Sequence, residues 1–133
     1  MNLERGLHTR WAADVTLIAL LPAARVTTGV TANAAPPYCV LSKTNGRPRA
    51  RFNDGTAVDD VEVRFTVLHE DHAAGLAIAN QVRRSFDRCR FDLADSNRVI
   101  WMQRTGESDF QDEDGIWNFV LTFRCLVGLA VGA

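Results

Sequence analysis

The longest regular alternation of apolar and polar positions runs over residues 116–127. Every second residue of this segment is apolar: Trp117, Phe119, Leu121, Phe123, Cys125 and Val127. On a strand these side chains share one face, whereas the other face is mixed and includes Asn118 and Arg124. Burying each large apolar side chain contributes roughly 1.5–3 kcal/mol. The segment therefore predicts a strand with one face in the core and the other partly covered, against which the rest of the chain packs or pairs.

Apolar spacings of three and four residues, typical of a helix face, occur in two parts of the chain. Near the N-terminus they predict helices over residues 3–13 and 15–21, with Asp14 as the cap between them and Pro22 ending the second. A further helix is predicted over residues 73–86. Its apolar stripe consists of Leu76, Ala79, Val82 and Phe86, with Ile78 beside it.

A second regular alternation, over residues 61–69, predicts a half-buried strand and the best pairing partner for residues 116–127. Shorter predicted strands cover residues 25–28, 38–42 and 98–104, with a fragment at residues 91–93. Pro36-Pro37 precedes the second of these, which suits an edge strand because proline donates no backbone hydrogen bond.

The remaining connections are predicted from their turn residues. Residues 43–57 contain Asn45-Gly46 and Asp54-Gly55 without a hydrophobic period, which predicts either a long functional loop or a hairpin extension. Residues 105–115 form a predicted acidic turn. Residues 31–37 have the composition of a small-residue loop, and the tail after residue 127 is expected to fray.

These elements predict the class of fold. The 133 residues suffice for one core, so we expect a single domain over residues 1–133. No strand–helix–strand unit repeats along the chain. The sequence therefore predicts an α+β fold: a mostly antiparallel sheet of about four strands with two helices packed on one face.

Composition narrows the class of function. The net charge is -1, from 15 basic and 16 acidic residues, which argues against a domain that mainly binds a phosphate backbone. Three cysteines without a Cys-x-x-Cys pair indicate buried free thiols in a reducing compartment. The longest uncharged run, residues 15–24, is too short to span a bilayer, and the charged N-terminus does not resemble a signal peptide. We expect a protein that is cytosolic where it is made.

Candidate catalytic and metal-binding groups are few. His69-Glu70-Asp71-His72 contains metal-ligand types, but His69 continues an inward strand face and His8 is the only other histidine. A half-buried histidine beside a charged helix start is the favoured interpretation. Cys39 and Cys125 lie within apolar strand patterns, which favours structural burial over catalysis. The sequence therefore predicts no enzyme, no metal and no cofactor.

Two connections carry charge of one sign, and the sharper functional hypothesis rests on them. The basic residues are Lys43, Arg47, Arg49 and Arg51, and in an extended chain the three arginines would point one way. The acidic residues are Glu107, Asp109, Asp112, Glu113 and Asp114. Both connections can be solvated loops. Alternatively they meet between neighbouring copies, since complementary patches at different places on one subunit give head-to-tail contacts that close into rings.

The succession of motifs resembles a known family. Pro37-Tyr38 opens one strand, residues 61–67 lead into Ala77–Arg83 of the helix, and Asp-Gly at residues 114–115 precedes Phe123-Arg124 in the last strand. This order resembles the small tail-completion or tail-terminator proteins of long-tailed bacteriophages and phage-derived gene transfer agents. The likeness covers nearly the whole chain, although the connection over residues 43–57 is longer than in the shorter relatives.

The resemblance implies a structural role. It implies two helices against a curved antiparallel sheet, and a homo-hexameric ring stacked on the last ring of the tail tube. Such a ring stops tube polymerisation and presents a surface to the head–tail connector and neck proteins. It implies a virion protein at the head-proximal end of the tail, made in the host bacterial cytoplasm. DNA would pass through the ring lumen without sequence-specific binding, and no membrane, cofactor or catalytic residue is involved.

Two alternatives stay open from the sequence. The chain is also compatible with another neck or head-completion connector protein, because the same folds and ring symmetries serve there. From a different class, a small dimeric α+β enzyme or ligand-binding module could use the sheet face opposite the helices as a pocket. The partly apolar second face of residues 116–127 keeps this alternative open.

Overall fold

One curled sheet with helices packed against it forms the structure, which is a computed structural model describing residues 2–29 and 35–131. The helices are α1 (Leu3–Ala13), α2 (Val15–Leu20) and α3 (His72–Phe86), with short 3-10 turns at Ala23–Arg25 and Ala94–Ser96. The strands are β1 (Val26–Thr28), β2 (Tyr38–Arg51), β3 (Ala57–His69), β4 (Cys89–Asp92), β5 (Arg98–Gln111) and β6 (Trp117–Leu129). The order across the sheet is β1-β2-β3-β6-β5-β4.

The centre of the sheet is the antiparallel pair β3–β6, as the two alternating patterns predicted. The two strands are 13 residues long and pair over their full length, from Ala57 opposite Leu129 to His69 opposite Trp117. Their inward residues are buried in one core together with the helices. The α+β class is thereby confirmed.

Both connections that lack a hydrophobic period are largely strand. The hairpin extension was the correct alternative for residues 43–57, because β2 continues to Arg51 and the chain turns over residues 52–56. The acidic segment was predicted as a turn, but β5 continues to Gln111 and only residues 112–116 turn. Periodicity failed at these places because both faces of the strands are exposed, so that no buried apolar face marks them in the sequence.

The sheet has more strands than the predicted four among the residues described. The short strands β1 and β4 make six, and β1 runs parallel to β2, so that the start of β2 is not a sheet edge. The predicted first strand is shorter, since Arg25 belongs to a 3-10 turn. The tail does not fray after residue 127: Leu129 pairs with Ala57, and the Ala130 N–H donates to Asn97 Oδ1 at 2.8 Å. Residues 31–34 of the predicted loop, and residues 132–133, lie outside the described ranges.

Helices α2 and α3 begin at carboxylates that cap them. Asp14 Oδ1 accepts from the Leu17 N–H at 3.0 Å, and Asp71 Oδ2 accepts from the Ala74 N–H at 3.0 Å. The α3 stripe differs from the predicted one, because Leu76 is 39% exposed whereas Ile78 is buried. Gly75 is also buried, and its lack of a side chain lets the helix approach the sheet closely.

Four aromatic rings join three of the elements to the central strand β3. Phe65 of β3 lies 4.8 Å from Phe86 of α3 and 5.3 Å from Phe123 of β6, measured between ring centroids. Trp11 of α1 stacks on Phe65 at 6.4 Å, and its indole N–H donates to the Leu21 carbonyl at 3.0 Å. These contacts fix the helices on one face of the sheet.

Phe65→Ala is expected to lower the free energy of unfolding by about 3–5 kcal/mol, because it leaves a cavity among the rings of Trp11, Phe86 and Phe123. Denaturant unfolding followed by tryptophan fluorescence measures the loss. Val15→Ala removes a side chain that is 78% exposed and should change stability by less than about 0.5 kcal/mol. Equal losses in both variants would contradict the central place of Phe65.

Gly75→Ala should destabilise the protein by about 1–3 kcal/mol, although alanine normally favours a helix. Its Cβ would stand 2.4 Å from Phe119 Cε2 and 3.1 Å from His69 Cβ. Gly6→Ala in α1 is the matched control, because its close contact is the mobile end of the Leu93 side chain. Thermal denaturation compares the two variants. A Gly75→Ala protein more stable than Gly6→Ala would show that α3 does not pack this tightly.

Candidate subunit interface

The basic tip, residues 43–53, is the outer half of the β2–β3 hairpin. Its three arginines do not point one way, which corrects the sequence prediction. Arg47 is opposite Asp60 and Arg51 is opposite Ala57, with a register shift at Arg49 between them. Because Asp60 and Ala57 lie on opposite faces of β3, Arg47 and Arg51 do so as well. The extra residue of the bulge breaks the alternation that the sequence alone implied.

Arg51 and Asp60 of this hairpin already have partners inside the subunit. Arg51 pairs with Asp59 at 3.4 Å. Asp60 receives a two-pronged contact from Arg124, with Nε–Oδ1 at 3.0 Å and Nη2–Oδ2 at 2.7 Å. This hydrogen bonding holds the pKa of Asp60 below its usual value. In the part of the chain described, the exposed Arg47 and Arg49 have no carboxylate within ion-pair distance, although their charges also help to lower the pKa of Asp60.

The acidic tip, residues 105–115, contains the end of β5 and the turn into β6. Asp112 organises this turn: its Oδ1 accepts from the N–H groups of Asp114 at 2.9 Å and Ile116 at 3.0 Å, and Asn118 Nδ2 donates to its Oδ2 at 3.2 Å. The Ile116 hydrogen bond lowers the pKa of Asp112. Asp112 is therefore a structural carboxylate, held ionised by the turn that it closes.

The other carboxylates of the acidic tip divide into two groups. Glu107 accepts from Arg104 at 2.6 Å and lies 3.6 Å from Arg83, and Asp109 lies 3.2 Å from His72. Glu113 and Asp114 are exposed and form no side-chain ion pair within residues 2–29 and 35–131. Of the eight predicted interface residues, four thus have partners within the subunit: Arg51, Glu107, Asp109 and Asp112. The other four present charge to solvent: Arg47, Arg49, Glu113 and Asp114.

The two tips lie at opposite ends of the sheet. The turn of the basic tip adjoins the end of the β3–β6 ladder where Ala57 pairs with Leu129, and the acidic turn adjoins the end where His69 pairs with Trp117. At about 3.4 Å per residue, this ladder separates the ends by roughly 40 Å. The two turns cannot touch within one subunit, so any contact between the turns joins different copies, whereas the inner ends of the two segments approach each other where Asn45, Arg47 and Thr105 line one pocket. That the turns do meet stays a prediction.

The histidine–carboxylate segment serves helix α3 and the acidic hairpin. His69 Nδ1 accepts from the Asp71 N–H at 3.0 Å, Asp71 caps the helix, and the His72 ring lies 4.5 Å from the Trp117 ring. Across the described residues, no three His, Cys, Asp or Glu side chains are grouped so as to hold a metal ion. No described helix is long and apolar enough to cross a bilayer.

All three cysteines are buried free thiols, as the strand patterns predicted for two of them. Burial raises the pKa of Cys125 to about 12 and raises those of Cys39 and Cys89 above their ordinary value. Thiols that remain protonated at neutral pH are poor nucleophiles. Their packing in the core is the contribution that the structure assigns to them.

Ellman's reagent at pH 8 should react slowly with the native protein and titrate three thiols after unfolding. The thiolate fraction of Cys125 is on the order of a thousandfold below that of an ordinary cysteine. Ser108→Cys adds an exposed thiol and should react at the ordinary rate, which makes it the control. Fast native labelling of Cys39 or Cys125 would contradict their burial.

Sequence reasoning missed two exposed aromatic residues, one at each tip. Phe52 is 54% exposed beside the basic arginines, and Phe110 is 51% exposed within the acidic tip. Each is the single aromatic residue of a polar stretch, and this isolation was the signal that could have found them. Exposed aromatic side chains are typical of protein–protein contacts.

The structure thus presents exposed charge at both ends of the sheet and keeps its three thiols buried. The sequence matches the family described as "Tail completion protein gp17" over residues 5–128, and the chain belongs to this family. It is a structural protein of phage tails and not an enzyme. The resemblance found in the sequence motifs is thereby confirmed.

The fold is shared with a solved structure. A chain of the structure described as "Virion of native gene transfer agent (GTA) particle" superposes with a TM-score of 0.71 at 17% sequence identity. The match covers 92% of this chain and 91% of that chain. At this identity the likeness shows the fold alone. No curated protein sequence matches the chain.

Proposed function

We propose that this protein caps the tail tube as a homo-hexameric ring, stops tube polymerisation and forms the head-proximal joining surface. Its partners would be further copies of itself, the tail-tube protein on one side and head–tail connector or neck proteins on the other. Membership of the tail completion family supports the tail role. The observation that carries the ring is the placement of exposed opposite charges at the two ends of one sheet.

This placement suits a head-to-tail ring. A two-fold interface can set a basic tip against an acidic tip only where it spans both ends of the sheet, because residue i then contacts residue j and residue j contacts residue i. A head-to-tail contact instead sets the basic tip of one copy beside the acidic tip of the next. Repeating such a contact by a fixed rotation closes a ring. The free charges available for it are Arg47 and Arg49 on one side and Glu113 and Asp114 on the other.

Reversing either pair of charges should weaken assembly. We expect Arg47→Glu with Arg49→Glu, or Glu113→Lys with Asp114→Lys, to shift rings toward smaller species in light scattering and negative-stain images, most strongly at low salt. The matched control reverses two exposed arginines outside both tips, Arg84→Glu with Arg90→Glu, and should assemble normally.

Mixing the two charge-reversed proteins gives a sharper test. One carries two acidic tips and the other two basic tips, so each should assemble poorly alone and alternate with the other in an equimolar mixture. Two alternating variants can close only a ring with an even number of subunits, and a hexamer meets this condition. Recovery of rings in the mixture supports head-to-tail contacts through the tips. Normal assembly of each variant alone would remove the tips from the interface.

The tail role itself is tested on tube growth. Substoichiometric amounts of the protein, added to polymerising tail-tube protein, should shorten the tubes seen by electron microscopy and leave a ring at one end. Rings that bind neck proteins but leave tube length unchanged would indicate a different connector of the same neck. Absence of assembly with any tail component would overturn the proposal.

A further inference from the structure

An apolar groove of about 470 Å³ lies at the end of the sheet that carries the basic tip. Its walls include Phe52, Val58, Ile100, Leu129 and Val131. Phe52 and Val131 are 54% and 68% exposed, so apolar surface faces solvent here. Arg98 also lines the groove. The groove is therefore largely apolar, with one arginine in its wall.

The opposite end of the sheet carries a side chain that fits such a groove. Phe110 is paired across the ladder with Asn118, which places it on the face away from the helices, and it is 51% exposed. Residues 105–115 around it contain five carboxylates and no basic residue. Glu113 and Asp114, three and four residues further on, are exposed. An aromatic side chain thus projects from an acidic surface.

We propose that Phe110 of one copy inserts into the apolar groove of the next copy. This inference rests on the proposed ring, for which it names the contact between subunits. Eleven ladder positions separate Asn118 from Leu129, or roughly 35 Å, so Phe110 cannot reach the groove of its own subunit. The occupant comes from a second copy because the acidic surround of Phe110 complements Arg98 in the groove wall. A buried aromatic with charges around it is the usual anatomy of an interface centre.

Photo-crosslinking locates the contact directly. Benzoylphenylalanine replaces Phe110 in the full chain, and equal amounts of unlabelled and 15N-labelled protein are assembled into rings and irradiated. We expect mixed-isotope crosslinks between residue 110 and peptides containing residues 52–58 or 128–131. The same probe at the exposed Trp101 serves as the control and should give a different set of crosslinks. Rings whose residue 110 crosslinks elsewhere, or to no other copy, would overturn this contact and leave the ring standing.

Truncation measures how much the contact contributes. Phe110→Ala should raise the concentration at half-assembly about tenfold or more, Phe110→Leu should raise it less, and Val131→Asp should match the alanine variant. Val15→Ala removes another exposed apolar side chain and should leave assembly unchanged. Because both Phe110 and Val131 are exposed, melting temperatures should stay near that of the unmodified protein. Unchanged assembly of Phe110→Ala would refute the inference, whereas failure of the unmodified protein to form rings or cap tubes would refute the proposed function as well.

Discussion

The antiparallel pairing of β3 with β6 is the constraint on which the rest of the structure depends. Its thirteen-residue length is set by two strands whose inward side chains are apolar almost throughout. The middle of this pair carries Phe65 and Phe123, and the helices are fixed there through Trp11 and Phe86. The buried rings exclude alternative registers, because a shift by one residue would turn the whole apolar face to solvent.

The same pairing arranges the surface that we assign to assembly. Each central strand is joined by a tight turn to a neighbouring strand of 14 residues. The turn between β2 and β3 lies at one end of the sheet, and the turn between β5 and β6 lies at the other. The two hairpin turns thus lie about 40 Å apart along this ladder. Opposite charge at these tips gives the subunit a polarity, and polarity is what a head-to-tail ring requires of its subunit. The aromatic residue at the acidic tip and the apolar groove at the basic end follow the same direction along the subunit.

Much of the fold followed from local pattern, and the failures have identifiable causes. Helix α1, the Asp14 cap and the β3–β6 partnership were predicted because burial on one face leaves a period in the sequence. The outer half of β2 was predicted as either a loop or a hairpin extension and that of β5 as a turn, since both faces of these strands are exposed and leave no apolar period. Strand β1 joins the sheet in parallel with β2, a long-range choice that no local signal carries. The buried face of α3 includes Gly75, which was not part of the predicted stripe. A glycine packs against Phe119 more closely than any larger residue could.

By itself the sequence determined the kinds of elements, the core residues and the sign of charge in each connection, because these depend on local composition and period. Tertiary structure decided on which face of the sheet the charged side chains lie and which of them are paired. Hydrogen-bond register and the bulge at Arg49 placed Arg47 and Arg51 on opposite faces. Arg83 and His72 of helix α3, distant in the chain, lie within ion-pair distance of Glu107 and Asp109, whereas Glu113 is left exposed. Which charges remain available for a partner is a property of pairing between distant segments, and pairing exists only in the folded chain.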